Sequence, residues 1–413
     1  MSAPARLDDY IPFVGEEVID QIRLMVRSLR GAHLQHVSST RTGGGVAEIL
    51  SRVVPLMNDM GLKTEWTVID APDAFFDATK SFHNALHGVA EDITPDMFRI
   101  YREVMKENAS KINKDADYII IHDPQPMGLI EDRPNDRAKW TWRCHIDVAQ
   151  ADLRVWAFLK PYLDLFDAAV FHIPQFLRRD LFIPQYLIPP FIDPLSDKNR
   201  DLRPEEIQTV LDRYNISSDK PFILQASRFD WLKDPMGTLR AYEMVKRSTD
   251  VAFVFVGNFA PDDPEGRVVC EEVVKAAEAL PDTTVIVNPE DNDITVNALQ
   301  RAAALVIQKS LREGFGLSIT EPMWKAKPVV GGDTGGISYQ VIDGVTGFLV
   351  QTAEGAAYRM RQLLSNPPLA ELMGQEARLR VKGTFLPPHY LRNWLGLLLG
   401  FQYPERGVSV LPG

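Results

Sequence analysis

Twice along the chain, short apolar runs alternate with segments of helical period, and this repetition limits the fold more than any other feature. The first series is AHLQHVSS (from Ala32), the periodic VAEILSRVVPLMNDM stopping at Gly61, LKTEWTVID, a long helical region through PDMFRIYREVMKENASKI, DYIIIHDP, KWTWRCHID, the helical VAQADLRVWAFLKPYL and DAAVFHIP. The second is FILQAS, the helical DPMGTLRAYEMVKRS, VAFVFVG, a helix through EGRVVCEEVVKAAEAL, TVIVNP, TVNALQRAA, ALVIQKS, a helix near LSITEPMWKAK, PVVGGD and GFLV. Strands that read as unbroken apolar runs are covered on both faces, which predicts parallel sheets flanked by helices. Between the series lies YLIPPFIDPLSDKNR, Tyr186 to Arg200, whose prolines and aspartates can neither continue a helix nor sit inside a sheet. The pattern predicts an α/β protein of two doubly wound, Rossmann-like domains, 1–190 and 200–382, joined over about 188–200. Ligands are expected at the carboxyl ends of strands, in a deep cleft between the two. PPHYLRNWLGLLLGF reads as a separate amphipathic helix, and the segment 386–413 is expected to complete the first domain.

Composition narrows the class. With 45% hydrophobic and 24% charged residues the chain has the balance of a globular protein, which excludes disordered and fibrous classes. A formal net charge of -11 argues against nucleic acid or an anionic membrane as partner, so an anionic ligand needs a local cluster of Arg, Lys or bare amides. Only Cys144 and Cys270 are present, too few for a disulfide framework or a cysteine metal site, which fits a reducing cytoplasm. The start, MSAPARLDDYIPF, lacks the apolar core of a secretory signal, and WLGLLLGF is far shorter than a membrane span. A cytoplasmic protein is expected.

The stretch LREGFGLSITE, Leu311 to Glu321, follows a strand and opens a helix near Gly316 or Leu317. Amides there, after Gly314 and through Phe315, Gly316, Leu317 and Ser318, are unpaired donors at the positive end of a helix dipole and favour an anion. Glu313 precedes this site and Glu321 lies about one turn inside the helix. Two carboxylates beside a phosphate repel it unless they face hydroxyl donors, which suggests a sugar on one side of a phosphate and a ribose on the other. The plainer alternative makes Glu321 a first-turn charge and Glu313 a solvated loop residue. QASRFDWLKDP sets Arg228 and Lys233 directly after another strand, and a planar donor fork beside a mobile ammonium suits a diphosphate. TGGG, holding Gly43, Gly44 and Gly45, matches neither GxGxxG nor a Walker loop; it is either a tight turn or a place where bare amides meet a ligand. His145 and Asp147 in WRCHIDVAQ end a first-domain strand and are candidate ligands of sugar hydroxyls, although a strand-end His is often structural. VNPEDN, around Asn288, is a place for base contacts. No carboxylate or histidine cluster demands a metal.

Taken together these residues resemble a known group. EGFGLSITE is similar to the E-x7-E signature of retaining GT-B glycosyltransferases of family 4, Arg228 with Lys233 resemble that family's diphosphate pair, and TGGI (Thr334 to Ile337) and DGVTGFLV (Asp343 to Val350) follow in its usual order. HVSSTRTGGGVAEIL, WRCHIDVAQ, PPFIDPLSDKN, VNALQRAA and VIQKSLREGFGL resemble trehalose synthases of the glycosyltransferring type. The resemblance implies retaining transfer from an ADP-, UDP- or GDP-glucose to free glucose, giving α,α-trehalose, a transfer that is reversible in principle. Glu313 would contact the transferred glucose, Glu321 the ribose, and Arg228 with Lys233 the diphosphate. Gly44 and Gly45 would approach the donor from the first domain, where His145 and Asp147 hold sugar hydroxyls. Pro322 departs from the broad family's usual Ala. The resemblance implies no required metal, with magnesium at most stimulating through the nucleotide diphosphate; a homodimer is one open expectation. A retaining trehalose phosphorylase is the alternative. A regulator that binds sugar or nucleotide without turnover is a third reading, against which the full set Arg228, Lys233, Glu313 and Glu321 argues.

Overall fold

In the computed structural model, which describes residues 5–42, 44–133, 137–259 and 264–404, the apolar runs form twelve strands in two parallel sheets. The chain divides into two compact units, Met1–Phe191 with Pro387–Gly413, and Ile192–Leu386. The first unit contains β1 (His33–Ser38), β2 (Lys63–Val68), β3 (Tyr118–His122), β4 (Lys139–Arg143), β5 (Ala168–Phe171) and β6 (Gln185–Leu187), in the order β2-β1-β3-β4-β5-β6. Every residue of β3 is buried, as a central strand covered by helices requires. The order turns outward on either side of β1 and β3, so the loops leaving these neighbours diverge and open a crevice at their carboxyl ends.

One expectation is corrected at the sheet edge. Tyr186 and Leu187, the start of the proline-rich run, belong to β6, whose pairs with β5 are Val170 with Tyr186 and Phe171 with Leu187. Pairing is tolerated because β6 is an edge strand and the first proline of the run, Pro189, comes after it. Helices that the sequence pattern did not single out include Glu16–Arg27, Pro204–Arg213, Ala353–Leu364 and Pro367–Thr384. The terminal helix Pro387–Gln402 packs in the first unit against Glu16–Arg27, with Leu391, Trp394 and Leu395 wholly buried. Burial on that scale, at about 25 cal/mol per Å² of apolar surface, makes the helix part of this unit's core.

The second unit contains β7 (Phe222–Ala226), β8 (Ala252–Gly257), β9 (Thr283–Val287), β10 (Leu305–Gln308), β11 (Val329–Gly332) and β12 (Phe348–Val350), in the order β12-β11-β10-β7-β8-β9. Phe253, Phe255, Ile307 and Val330 of the sheet pack with Tyr242, Val269 and Met360 of the helices into one apolar core. The switch point falls between β7 and β10, and the loops that follow these two strands are the ones carrying Arg228, Lys233 and Glu313. Residues just after Ile192 are tied to this unit: Asn297 Nδ2 donates to Asp197 O at 2.8 Å and to Arg200 O at 2.9 Å.

Candidate active site

The two loops at the second switch point are stapled together by main chain and by charge. Leu311 N–H donates to Leu232 O at 2.7 Å. Asp234 stands in the left-handed region with φ 47°. There its carboxylate accepts the Gly237 N–H at 3.0 Å, opening the helix Pro235–Lys246, and pairs with the Lys309 ammonium. A non-glycine residue held in that conformation costs free energy, which the helix cap and the ion pair offset. On this platform Lys233 Nζ meets Glu313 Oε2 at 2.6 Å, and Ser310 Oγ donates to the same oxygen at 3.1 Å. The side chains of Lys233 and Glu313 are 16% and 10% exposed, whereas that of Arg228 is 71% exposed and lies 3.2 Å from Asp230 Oδ2. The structure thus brings Lys233 and Glu313 into direct contact and leaves Arg228 at the rim.

Gly316, with φ 88°, precedes the helix Leu317–Trp324, which has no side-chain cap, so its leading amides are left to solvent or ligand. The turn after β11 holds the approach to this helix from outside. A Cβ on Gly335 would lie 1.7 Å from Glu313 O, and one on Gly336 would lie 2.3 Å from Phe315 Cα. Backbone therefore rests on backbone. Gln340 Nε2 donates to Phe315 O at 2.6 Å, and the Phe315 ring is buried edge-on against Phe385, 5.5 Å between centroids. Phe315 can offer a ligand only its main chain. Glu321 is buried, accepting from Gln300 Nε2 at 3.1 Å, with Lys198 Nζ 3.7 Å away. One turn on, burial pushes the Lys325 ammonium down to about 7, opposed by the Glu321 charge. Asn288 has φ 46°, and its Oδ1 accepts the Phe259 N–H at 3.0 Å, fixing the loop after β9.

In the first unit a cavity of about 110 Å³ opens at its own switch point, lined by Ser38, Thr40, Gly44, Gly45, His122 and Asp123. Gly44 has φ 80° and nothing within 4 Å of where a Cβ would stand, so glycine serves the backbone conformation and not a tight contact. Gly43 lies outside the described residues. Asp123, also left-handed at φ 65°, accepts the His145 N–H at 2.7 Å. Burial pushes the Asp123 carboxyl up to about 7, opposed by that amide and by the Arg143 guanidinium. Arg143 is itself fully buried on β4 and donates to Phe171 O at 3.0 Å. His145 Nε2 lies 2.9 Å from His122 Nδ1, and its Nδ1 lies 3.4 Å from His172 Nε2, so both ring nitrogens already face other histidines. Asp147 is buried and accepts the Ala149 N–H at 2.9 Å. The sequence reading passed over His122 and Asp123, although HDP closes an apolar strand as QASR does in the second unit. Among the described residues no group of His, Cys, Asp and Glu is arranged to hold a metal ion, and no helix is long and apolar enough to cross a membrane.

Residues 36–178 match the family described as trehalose synthase, N-terminal domain, and residues 206–380 match glycosyl transferases group 1. The trehalose synthase of Thermococcus litoralis is 41% identical over 401 residues, 96% of this chain and 97% of that protein. The trehalose phosphorylase of Grifola frondosa is 25% identical over 462 residues, which cover 98% of this chain and 62% of that protein. Among solved structures, an α,α-trehalose-phosphate synthase (UDP-forming) from Burkholderia xenovorans aligns with TM-score 0.72 over 90% of this chain and 100% of that one, at 13% identity. Two parallel six-stranded sheets, this likeness and the group 1 match define a glycosyltransferase of the GT-B fold. Within that class the chain belongs to the trehalose synthase family and is a trehalose-forming glycosyltransferase.

Proposed function

We propose that the protein transfers glucose from a nucleoside diphosphate glucose to free glucose with retention, forming α,α-trehalose, and that the second unit binds the donor. The observation that carries this reading is the Lys233–Glu313 pair, 2.6 Å apart, beside the uncapped helix at Gly316. Without ligand the two charges neutralise each other. An arriving diphosphate takes Lys233 and the helix amides, and releases the Glu313 carboxylate to accept from glucose hydroxyls. Arg228, exposed at the rim, folds onto the diphosphate, and Glu321 accepts from the ribose diol. The cavity at Gly44, Gly45 and Asp123 in the first unit receives a sugar. In the transfer the bond from C1 to the phosphate oxygen breaks while the acceptor hydroxyl bonds to C1 on the same face. The hydroxyl proton passes to the departing phosphate oxygen, so no protein nucleophile is needed, and charge gathering on the diphosphate is met by Arg228, Lys233 and the amides. No metal is required for this division of labour; magnesium would act through the diphosphate.

The test is to incubate the protein with glucose and ADP-, UDP- or GDP-glucose separately, and to determine the linkage of any disaccharide. α,α-Trehalose with release of nucleoside diphosphate is expected. The phosphorylase relative defines the rival outcome: glucose 1-phosphate from trehalose and inorganic phosphate without any nucleotide.

A further inference from the structure

Arg143, the last residue of β4, is fully buried, yet little holds its guanidinium. Nη1 donates to Phe171 O at 3.0 Å, while Nε and Nη2 are buried with no hydrogen-bond partner among the described residues. Among those residues it also makes no ion pair. A guanidinium cannot shed its proton, so a full charge is kept out of water with most of its donors idle, which costs stability. An apolar side chain of similar length would escape that cost. A residue of this kind calls for a gain elsewhere.

The main chain ties Arg143 to one carboxylate. His122 on β3 is its register partner, and the Asp123 N–H that follows donates to Arg143 O at 2.9 Å. The same strand end fixes Asp123 on two further sides: its O accepts from Trp142 Nε1 at 3.1 Å, and its Oδ1 accepts the His145 N–H at 2.7 Å. Oδ2 accepts nothing among the described residues, and Asp123 is partly exposed where it lines the cavity of about 110 Å³. Burial pushes this carboxyl up to about 7, and the His145 amide and the Arg143 charge act against that rise. The titratable neighbours do not take over that role. Burial holds His36 of β1 at about 3 and puts His122 and His145 well below the ordinary value, with Arg143 among the lesser causes at the last two, so all three stay neutral. Burial pushes the Cys144 thiol well above its ordinary value and raises Tyr390 on the terminal helix, so neither ionises near neutral pH. His172 after β5 faces His145, and the Asp147 charge is felt at Cys144. Arg143 is the cation that acts on Asp123.

We propose that Arg143 is a positioning residue kept for its charge: the guanidinium holds the Asp123 carboxyl ionised, so that Oδ2 accepts a hydrogen bond from a hydroxyl of the neutral sugar received in this cavity. Arg143 is not among the residues lining the cavity, so it acts through Asp123. An ionised acceptor makes the stronger bond to a hydroxyl. A protonated Asp123 would turn a donor into the cavity and leave the Arg143 charge uncompensated. With Asp123 ionised and the histidines neutral, the two charges offset each other, and the cavity suits an uncharged ligand. The accepting role rests on the glucosyl-transfer reading; the hold of Arg143 on Asp123 does not.

The experiment uses the full protein with carbon-13 in the aspartate carboxyls, the Asp123 signal being assigned by its loss in Asp123→Asn. Arg143→Gln removes the charge and keeps a donor for Phe171 O, whereas Arg143→Lys keeps the charge. The glutamine variant is expected to bind the Asp123 proton about tenfold more tightly than the wild type, as loss of one nearby opposite charge does, and the lysine variant to stay within about threefold of wild type. A glutamine variant that titrates with the wild type, or two variants that titrate together, overturns the proposal. In steady state the KM for glucose should rise as pH falls and Asp123 takes up its proton. At about pH 7 the glutamine variant should show a KM about fivefold above wild type, the ratio of ionised fractions, and the gap should close toward about pH 9. A gap of one size at every pH reduces Arg143 to a packing residue and overturns the proposal. If none of ADP-, UDP- or GDP-glucose yields trehalose, the glucosyl-transfer reading and the accepting role fall together, and the carboxyl titration still decides whether Arg143 holds Asp123. Arg143→Met, which has no idle donors, is expected to lower Tm by no more than about 4 °C; a larger fall would show that the guanidinium is kept for the fold.

Discussion

Replacement of Gly335 by alanine isolates how far the position of Glu313 governs transfer. The new Cβ would stand 1.7 Å from Glu313 O, and no real Cβ approaches a neighbour within 3.0 Å, so the two segments must part by about 1.3 Å. Nothing flexible can yield, because the obstructing atom is main chain. Glu313 is coupled to Lys233 and Ser310 through its side chain, so the displacement reaches the groups proposed to meet the donor's diphosphate and sugar. A misplacement of about 1 Å at a reacting centre costs on the order of a hundredfold in rate. Gly335 also has φ 49°, and alanine in the left-handed region adds about 1 kcal/mol of strain. Gly344→Ala is the matched control, since φ is 77° there and nothing lies within 4 Å. Gly344→Ala should lose roughly 2–4 °C in Tm from backbone strain, and Gly335→Ala more, because the forced separation adds to the same strain. Only Gly335→Ala should lose kcat, by about a hundredfold, in an assay of nucleoside diphosphate release from the donor that proves active. If Gly335→Ala turns over within about threefold of Gly344→Ala, the turn does not position Glu313 and the reasoning fails.

Four further outcomes follow from the same geometry. Arg228→Ala and Lys233→Ala should each lower kcat by about a hundredfold or more, as loss of one preorganised donor to developing charge does, and near-normal turnover in both would remove their role. Glu313→Gln removes the carboxylate that occupies Lys233, so the free nucleoside diphosphate should bind about three- to tenfold tighter by calorimetry while transfer collapses; weaker binding would contradict the exchange. Asp123→Asn should flatten part of the pH dependence of stability. The native Asp123 carboxyl is raised to about 7 from an ordinary 3.8, so the folded state holds a proton that the unfolded state has shed, and stability falls as pH rises between those values. The wild type should therefore lose about 1–3 kcal/mol more than the variant between pH 4 and 7.5, allowing for partial solvent screening, and parallel Tm curves would refute this. Excess EDTA should leave substantial activity; complete loss restored by one divalent ion would show a required metal.

Legibility differed between local and distant relations. Apolar runs announced eleven strands because a parallel strand buried on both faces needs no alternation, and only β6 was misread, where proline content drew attention from the two residues ahead of it. That Arg228, Lys233 and Glu313 fall in loops at the carboxyl ends of β7 and β10 was legible because each follows an apolar strand run. The Lys233–Glu313 contact was not, since the two lie 80 positions apart and meet only once β7 and β10 are neighbours. The same holds for Asp234 with Lys309, 75 positions apart. A histidine at one strand end reads as structural; that His122, His145 and His172 face one another follows only from the sheet order, which no stretch of sequence displays.

On the proposed reading a chain of net charge -11 must hold a diphosphate against its own field, and the Lys233–Glu313 pair suggests how. Two charges held mostly out of water largely repay, in mutual attraction, what they lost in hydration, so such a pair adds little net stability and can be exchanged at small cost. A diphosphate offers Lys233 more negative charge than Glu313 does, and the sugar attached to it offers Glu313 hydroxyl donors in return. The exchange leaves neither group unpaired only when phosphate and sugar arrive on one molecule. Free phosphate would satisfy Lys233 and strand the carboxylate; free glucose would satisfy the carboxylate and strand the ammonium. A site already neutralised within itself therefore favours an intact sugar nucleotide over either of its halves.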